Sequence, residues 1–288
     1  MTGRGGRRAW AHHAQPGLHW AEWWCEFAGT ALLVLGGLSA VTVDFGRGSF
    51  VPSLLPSVSS RLALTGTLFA SCGSLVAVSP LGRRSGAHLN PAVTVAFWLR
   101  GHLHHHDLLG YVVAQCAGAI AGVWLLKEIW AAMAASVHYG LTQPRAGLSP
   151  WAAAGIEAAM TAAMVFAIFM FVSSPRTARW TPLVVLFVVA VLVWQGAPYT
   201  GTSLNPARSL GPAVVTGDWR DYWVYVVGPL GGSVLAVAAF ALVPRVTLTA
   251  KLFHDSRYRS VFSSHLPARS PDGGRPPEGR LGKGLADA

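Results

Sequence analysis

The side chains whose type and spacing can do chemistry are concentrated in two short stretches that share the letters Leu-Asn-Pro-Ala. The first stretch covers residues 85–94 and the second covers residues 200–209. Asparagine carries side-chain N–H donors and caps helices well, and proline fits best at the first position of a helix. Each stretch therefore predicts a polar loop that leads into a new helix. The residues concerned are Asn90, Pro91, Ala92, Asn205, Pro206 and Ala207.

The overall composition predicts a membrane protein. Of the 288 residues, 52% are hydrophobic and only 12% are charged, whereas soluble domains average about 25% charged residues. The net charge of +10 does not indicate a nucleic-acid partner, because the basic residues flank apolar stretches, as they do in membrane proteins. The three cysteines lie in apolar sequence and indicate neither a disulfide framework nor a metal site.

Six apolar runs are long enough for helices that cross a bilayer, which need about 20 residues each. They cover residues 20–43, 62–79, 108–129, 151–172, 181–197 and 222–243. The basic residues 1–18 and the polar residues 245–288, which are rich in Pro, Gly and Ser, predict two disordered tails. A membrane domain is therefore expected between residues 19 and 244.

The helix that starts at Pro91 is too short to cross a membrane. It extends to about Arg100, which corresponds to roughly 15 Å, or half of a ~30 Å hydrocarbon core. A half-helix at membrane depth is tolerated only where its loop is buried in protein or lines a water-filled cavity. The two stretches therefore favour a pore or a binding cavity.

The chain contains an internal repeat. Residues 20–130 and residues 151–244 each hold three apolar runs and one Asn-Pro stretch, and each half carries one early acid in an apolar run, Glu26 or Glu157. Because three is an odd number of spans, the second half must enter the membrane from the side opposite to the first. Such an inverted-topology repeat brings the two half-helices together near the middle of the membrane. The predicted fold is an all-α membrane protein with six transmembrane helices and two re-entrant half-helices.

The basic residues predict the orientation of the chain. Most arginines and lysines fall in the tails or in the loops on the same side, which include Arg83, Arg84, Arg176 and Arg179. Because cytoplasmic segments carry an excess of positive charge, both termini are expected in the cytoplasm. The prediction is a multi-pass protein of the plasma (cell) membrane, in contact with the lipid bilayer.

With two Asn-Pro-Ala motifs, an arginine after the second motif, six spans and an inverted repeat, the chain resembles the aquaporin family of membrane channels. Residues 85–88 before the first motif, Tyr111 and Gln115 in the third span and Gly228 with Pro229 in the sixth are similar to that family as well. The resemblance implies a homotetramer with one pore per subunit. It also implies passive flow of water and small uncharged solutes. We expect no cofactor, no metal and no enzyme activity.

The two motifs have a physical role that can be stated independently of the resemblance. Asn90 and Asn205 bring N–H donors to the pore centre, and the positive ends of both half-helices face the same point. Such a centre orients a passing oxygen atom, repels cations and interrupts a proton-conducting chain of water. Arg208, about one turn further out, adds a fixed cation. The alternative is that both asparagines are only helix caps and that Arg208 snorkels to the membrane interface.

Family spacing predicts a selectivity filter with two small apolar members. Its four residues are Ala70, Val193, Thr202 and Arg208. The resemblance then implies a wider and less polar constriction than in strict water channels, which favours glycerol-like or urea-like solutes beside water. Ser209, where glycerol facilitators typically carry Asp, matches the water-channel type instead. A shift of one residue would place Phe69 or Trp194 in the filter and narrow it.

Three further acidic or imidazole features have competing interpretations. Glu26 and Glu157 are either members of a proton relay or acceptors that support the re-entrant loop of their own half, and the resemblance favours support. His88 is expected to line the inner pore. A polar segment holds His102, His104, His105 and His106 followed by Asp107. This segment suits either a metal or pH-sensing cluster or a solvated interfacial loop.

One other functional class remains open at this level. An ion-coupled secondary transporter with inverted repeats would also place broken helices at mid-membrane, and Glu26 and Glu157 are the acids that such a transporter would use. An enzyme is disfavoured, because the sequence contains no nucleophile–base pair, metal-ligand spacing or phosphate-binding loop.

Overall fold

The computed structural model describes residues 17–255. In chain order the α-helices are α1 (Trp20–Phe45), α2 (Val51–Leu54), α3 (Val58–Val78), α4 (Pro80–Ser85), α5 (Pro91–Leu99), α6 (His105–Ala135), α7 (Pro150–Val172), α8 (Thr181–Thr200), α9 (Pro206–Thr216) and α10 (Val224–Ala241). Short 3-10 turns cover His138–Gly140 and Ala178–Trp180.

Six of these helices are long and apolar enough to cross a membrane, namely α1, α3, α6, α7, α10 and the helix α8 together with the 3-10 turn before it. The predicted all-α membrane fold is confirmed, and most predicted spans agree with the helices to within four residues. The third span differs more, because α6 begins at His105 and continues to Ala135. The first turn of α6 therefore includes His105, His106 and Asp107 from the histidine-rich segment.

The chain starts its helices with side chains that can accept a backbone N–H. Ser57 caps α3 by accepting from the N–H of Ser60, and Ser149 caps α7 by accepting from the N–H of Ala152. The half-helices α5 and α9 use Asn90 and Asn205 in the same way, each followed by a proline at the first helical position. Proline sacrifices no intrahelical hydrogen bond at this position, because the first N–H groups of a helix have no intrahelical acceptor.

Closely packed helix pairs surround the two half-helices. The most extensive contacts are α1 with α6 in the first repeat and α7 with α10 in the second, and α3 with α8 joins the two repeats. Glycines permit the close approach. A Cβ on Gly118 would lie 2.2 Å from the carbonyl oxygen of Phe27, and one on Gly232 would lie 2.4 Å from that of Ala158. Half-helix α5 packs on α10, and α9 packs on α6, so each half-helix contacts the opposite repeat.

The residues that follow α10 turn back onto the bundle. The backbone N–H of Leu248 donates to the carbonyl of Val172 (3.1 Å), and that of Leu252 donates to the carbonyl of Gly86 (3.0 Å). Residues 245–255, which the composition assigned to a disordered tail, are therefore hydrogen-bonded to the helical bundle. Residues 1–16 and 256–288, the rest of the two predicted tails, lie outside the described residues, so the division of the chain at residues 18 and 244 stays a prediction.

Candidate functional site

We call the side of the bundle at which α1 begins and α10 ends the terminal face, and the opposite side the distal face. The site lies between these faces, where the loops that precede α5 and α9 meet. Both loops have left-handed backbone conformations at non-glycine residues. The φ angles are +55° at Ala87 and +51° at Leu89 in the first loop, and +48° at Thr202 and +57° at Leu204 in the second. Each such residue costs of order 1–3 kcal/mol and persists only when its surroundings impose it.

In the first repeat, the buried carboxylate of Glu26 imposes this loop conformation. Its Oε1 accepts from the hydroxyl of Ser85 (2.7 Å) and from the N–H of His88 (3.1 Å). Its Oε2 accepts from the N–H of Leu89 (2.7 Å) and from the amide of Gln115 (2.7 Å). The side chain of Glu26 thus receives four hydrogen bonds from the loop and from α6.

In the second repeat, Glu157 repeats the arrangement. Its Oε1 accepts from the hydroxyl of Thr200 (2.7 Å) and the N–H of Ser203 (2.9 Å), and its Oε2 accepts from the N–H of Leu204 (2.8 Å). Both acids are completely buried within the described residues. The two carboxylates bond their own loops, as the loop-support interpretation expects.

Two tyrosines hold the loops from the other side, a role that the sequence analysis missed. The hydroxyl of Tyr111 donates to the carbonyl of Ser85 (2.6 Å), and that of Tyr225 donates to the carbonyl of Thr200 (2.8 Å). The signal was present in the sequence, because Tyr-Val-Val follows each Asn-Pro motif at nearly the same distance.

Asn90 and Asn205 form a reciprocal pair at the meeting point of the two half-helices. The Oδ1 atom of Asn90 accepts from the N–H of Ala92 (2.8 Å), and the Oδ1 of Asn205 accepts from the N–H of Ala207 (3.0 Å). Each Nδ2 then donates across the repeat boundary, from Asn90 to the carbonyl of Leu204 and from Asn205 to the carbonyl of Leu89, both at 2.8 Å. Because an amide nitrogen has two hydrogens, one N–H of each asparagine can still donate to a molecule in the cavity.

Two adjoining cavities follow the axis that these residues define. The terminal cavity is lined by Asn90 and Asn205 together with Ala70 and His88. The distal cavity is lined by Val193, Thr202 and Arg208 near the ends of α1 and α8. Both cavities share the lining residues Phe69, Val189, Ser203 and Leu204. The cavities therefore meet beside the asparagine pair.

The structure brings three of the four predicted filter residues together and places an aromatic ring beside them. Arg208 is buried, and its Nη1 donates to the carbonyl of Gly140 (2.7 Å). Its guanidinium carbon lies 5.7 Å from the centre of the Phe69 ring. Ala70 lines the terminal cavity instead, whereas Phe69 lines both cavities. Phe69 was named in the sequence analysis only as a one-residue shift. Gly37 makes room for its ring, because a Cβ there would lie 2.4 Å from it.

The other one-residue alternative, Trp194, points elsewhere. Its side chain is 41% exposed, and its Nε1 donates to the hydroxyl of Ser59 (2.8 Å). Val193, which precedes it, lines the distal cavity together with Val189 and Ala197 of the same helix.

At the terminal end of the site, His88 and the segment after α10 meet. The buried His88 lines the terminal cavity, and its Nε2 lies 2.9 Å from the carbonyl oxygen of Ala250. Leu252 from the same segment also lines this cavity. The Nζ of Lys251 donates to the carbonyl of Arg83 (2.5 Å). Burial lowers the pKa of Lys251 to about 8, against the opposing effect of the nearby acidic side chains Glu22 and Asp255.

The histidine-rich segment separates into different environments. His106 and Asp107 approach His19, which precedes α1. His105 accepts from the Nε1 of Trp98 (3.3 Å) in an exposed position, and His102 is buried against Phe97. The histidines of 102–106 therefore do not form one cluster. The partner of Asp107 is His19, which lies 88 residues away in the chain and has no local sequence pattern in common with it.

Comparisons with known proteins agree with this geometry. The family model "Major intrinsic protein" matches residues 14–240. The chain is 35% identical to mouse (Mus musculus) Aquaporin-4 over 237 residues, which cover 81% of this chain and 71% of that protein. It is 32% identical to the lens fiber major intrinsic protein of Gallus gallus, with 90% and 92% of the two chains covered. The solved structure of the aquaglyceroporin from Plasmodium falciparum has a similar fold, with a TM-score of 0.64 at 20% identity over 77% of this chain and 96% of that one.

Proposed function

Because the chain belongs to the major intrinsic protein family and is a passive membrane channel for water and small solutes, we propose that its pore is centred on Asn90 and Asn205 and is selective at Arg208. Family membership points to a channel rather than an enzyme, and nothing in the comparisons favours an ion-coupled transporter. The proposal requires no cofactor.

The observation that carries the proposal is the reciprocal bonding of the two asparagines. Each Oδ1 is occupied by its own half-helix and each Nδ2 by the opposite loop, so both side chains are fixed with one N–H directed toward the cavity. Pro91 and Pro206 begin half-helices whose positive ends face the same point. A water molecule there accepts from the asparagines, and a cation or a hydrated proton is repelled.

Arg208 supplies the second barrier to cations. Its contact with the carbonyl of Gly140 holds the guanidinium at the wall of the distal cavity. A fixed positive charge at a narrow point excludes cations and protons electrostatically. Nearby, the hydroxyl of Ser209 lies 2.7 Å from that of Thr142 and 2.6 Å from that of Ser203. This neutral network occupies the position where a glycerol facilitator would carry Asp.

The lining of the distal cavity supports water as the main solute and small uncharged molecules as further ones. The ring of Phe69 beside Arg208 narrows the passage on one side. On the other side of the passage, the small side chains of Val193 and Thr202 form a largely apolar wall. Glycerol and urea test the upper size limit of this opening.

Glu26 and Glu157 are proposed as loop supports rather than proton carriers. Together they receive seven hydrogen bonds, six from the re-entrant loops or the helix-terminal residues that border them and one from Gln115. They hold the strained loops in the conformation that presents the asparagines.

We propose a homotetramer in the plasma membrane with both termini in the cytoplasm. Large apolar side chains are exposed along the spanning helices, among them Leu32, Leu109, Val113, Leu183, Phe187 and Leu235. These surfaces suit lipid and neighbouring subunits. Native mass spectrometry of the detergent-extracted protein should show four chains.

Stopped-flow measurements on proteoliposomes test the proposed function. A sucrose gradient should shrink vesicles that contain the protein faster than empty vesicles, at the same rate with and without an imposed ion gradient. Glycerol and urea gradients then report reswelling through the channel. Accumulation of a solute against its own gradient would contradict the proposal.

A further inference from the structure

A buried acid and two histidines meet outside the pore, where α1 and α6 begin. The Oδ1 of Asp107 accepts from the Nδ1 of His19 (2.8 Å) and from the Nε1 of Trp23 (3.1 Å). Its Oδ2 lies 3.5 Å from the Nε2 of His106. One ligand atom from each of His19, His106 and Asp107 lies within 4.8 Å of the others.

The ring nitrogens of this cluster are incompletely used. The side chain of His19 is only 9% exposed and that of Asp107 only 3%. Within the described residues, the Nε2 of His19 and the Nε2 of His106 are buried without a hydrogen-bond partner. A buried polar atom without a partner costs free energy, unless a ligand that the site accepts satisfies it.

We propose that His19, His106 and Asp107 bind a divalent transition-metal ion, with Zn²⁺ as the best fit. Two imidazoles and one carboxylate are ligands that zinc prefers, and three protein ligands leave a fourth position for water. Ligand atoms at about 2.0–2.1 Å from zinc stand roughly 3.3 Å from one another. One candidate ligand atom from each of the three residues lies within 4.8 Å of the other two, so the side chains complete the site by moving closer together. The side chain of His106 is 38% exposed and provides the way in.

The ion would tie the start of α1 to the first turn of α6. Both segments lie at the terminal face, and the ligands come from residues that line neither pore cavity. Trp23 supports the site by donating to the ligating carboxylate, in the way that outer partners orient metal ligands.

Isothermal titration of the tag-free, chelator-treated full chain in detergent with ZnCl₂ tests the proposal. We expect one ion per chain, and His19→Ala or Asp107→Asn should each weaken binding by about tenfold or more. The matched control is His105→Gln, which changes a neighbouring histidine outside the cluster. Osmotic water permeability of each variant in proteoliposomes confirms that it is folded. Zinc binding that is unchanged in both cluster variants, or weakened as much by His105→Gln, would overturn the assignment.

A different observation concerns the segment after α10. Leu252 lines the terminal cavity together with Asn90 and Asn205, and its side chain is almost completely buried. Three contacts fix the segment to α4 and to the loop that follows it: Leu252 N–H to the Gly86 carbonyl, Lys251 Nζ to the Arg83 carbonyl, and an ion pair of Arg83 with Asp255 at 3.1 Å.

From this geometry we infer that Leu252 determines the width of the pore at its terminal end, an inference that rests on the proposed function. An apolar side chain at the end of a water-filled path narrows it and removes hydrogen-bond partners for water, so it raises the barrier to passage. The segment is thus part of the pore wall.

Single-channel water permeability of side-chain variants tests this role. Leu252→Ala should raise the permeability by about twofold or more, and Leu252→Trp should lower it. Val246→Ala is the matched control, because Val246 belongs to the same segment but is 56% exposed. Equal permeability of all three variants and the wild type would overturn the role of Leu252. If the wild-type protein conducts water in the same assay, the proposed function stands even when the inference about Leu252 fails.

Discussion

The two repeats build their loops alike but line the pore differently. In each repeat a buried glutamate, a hydroxyl side chain and a tyrosine hold a left-handed loop in front of an Asn-Pro helix start. The corresponding hydrogen-bond lengths differ by no more than 0.2 Å. The framework that positions Asn90 and Asn205 is therefore common to both halves of the molecule.

The two repeats differ at residues on both sides of each asparagine. Val93 occupies the third position after Asn90, and Arg208 occupies the third position after Asn205. His88 likewise corresponds to Ser203. One half thus presents an apolar wall and an imidazole to the terminal cavity, and the other presents a fixed cation to the distal cavity. In the proposed channel, symmetry positions the pore centre, and we expect selection among solutes to depend on residues that break the symmetry.

The largest expected effect comes from removing a loop support. Glu26→Ala leaves four donors without their acceptor, and Glu157→Ala leaves three. Since a buried unsatisfied donor costs about 1–3 kcal/mol, each variant should lose several kcal/mol of stability. Thermal unfolding of the detergent-solubilised variants should show a large fall in Tm for both. A fall in only one variant would break the equivalence of the two loops.

Removing the charge of the second repeat should change selectivity with a smaller effect on stability. Arg208→Val gives the distal cavity the residue that the first repeat carries at this position. We expect proton and cation flux through the variant to rise by about tenfold, because the fixed charge is lost. Fluorescent pH measurements in proteoliposomes report the flux. Val93→Ala is the control, and it should leave the ion flux at the wild-type level.

A more moderate effect is expected at the aromatic ring. Phe69→Ala removes the ring beside Arg208 and widens the junction of the two cavities, so glycerol permeability should rise several-fold. Trp194→Ala removes a tryptophan that points away from the cavities and serves as the control. Identical glycerol reswelling rates for both variants would show that the ring does not limit solute size.

The smallest expected effects are at the tyrosines. Tyr111→Phe and Tyr225→Phe each remove one hydrogen bond to a loop carbonyl and should cost about 1 kcal/mol. Because the two bonds are equivalent, the two shifts in Tm should match. A clear inequality would indicate that one loop depends more on its tyrosine than the other.

Much of the fold was predictable because membrane spans are long and strongly apolar. The six spans follow from the apolar runs, and the two half-helices follow from the Asn-Pro stretches. The equivalent positions of Glu26 and Glu157 follow from the internal repeat. The contacts of the loops were less accessible, because a left-handed φ at Ala87 or Thr202 has no signature in the residue type. It arises from the carboxylates that bind the neighbouring N–H groups.

Two parts of the site needed the structure. Adjacent helix residues such as Phe69 and Ala70 both reach a wide cavity, and spacing alone does not show which ring or methyl group faces Arg208. The segment around Leu252 has a polar, mixed composition typical of tails, and its contacts with Arg83 and Gly86 join residues more than 160 positions apart. Such long-range contacts leave no local pattern.

The central claim is that the paired asparagines keep the channel closed to cations while water passes. The most direct test compares water and cation flux through wild-type, Asn90→Asp and Asn205→Asp channels in the same proteoliposomes, with circular dichroism as the check on folding. Aspartate removes the amide donors and places negative charge opposite the positive helix ends. We predict a cation leak through both variants and none through the wild type. Water flux with complete exclusion of cations in both variants would contradict the account.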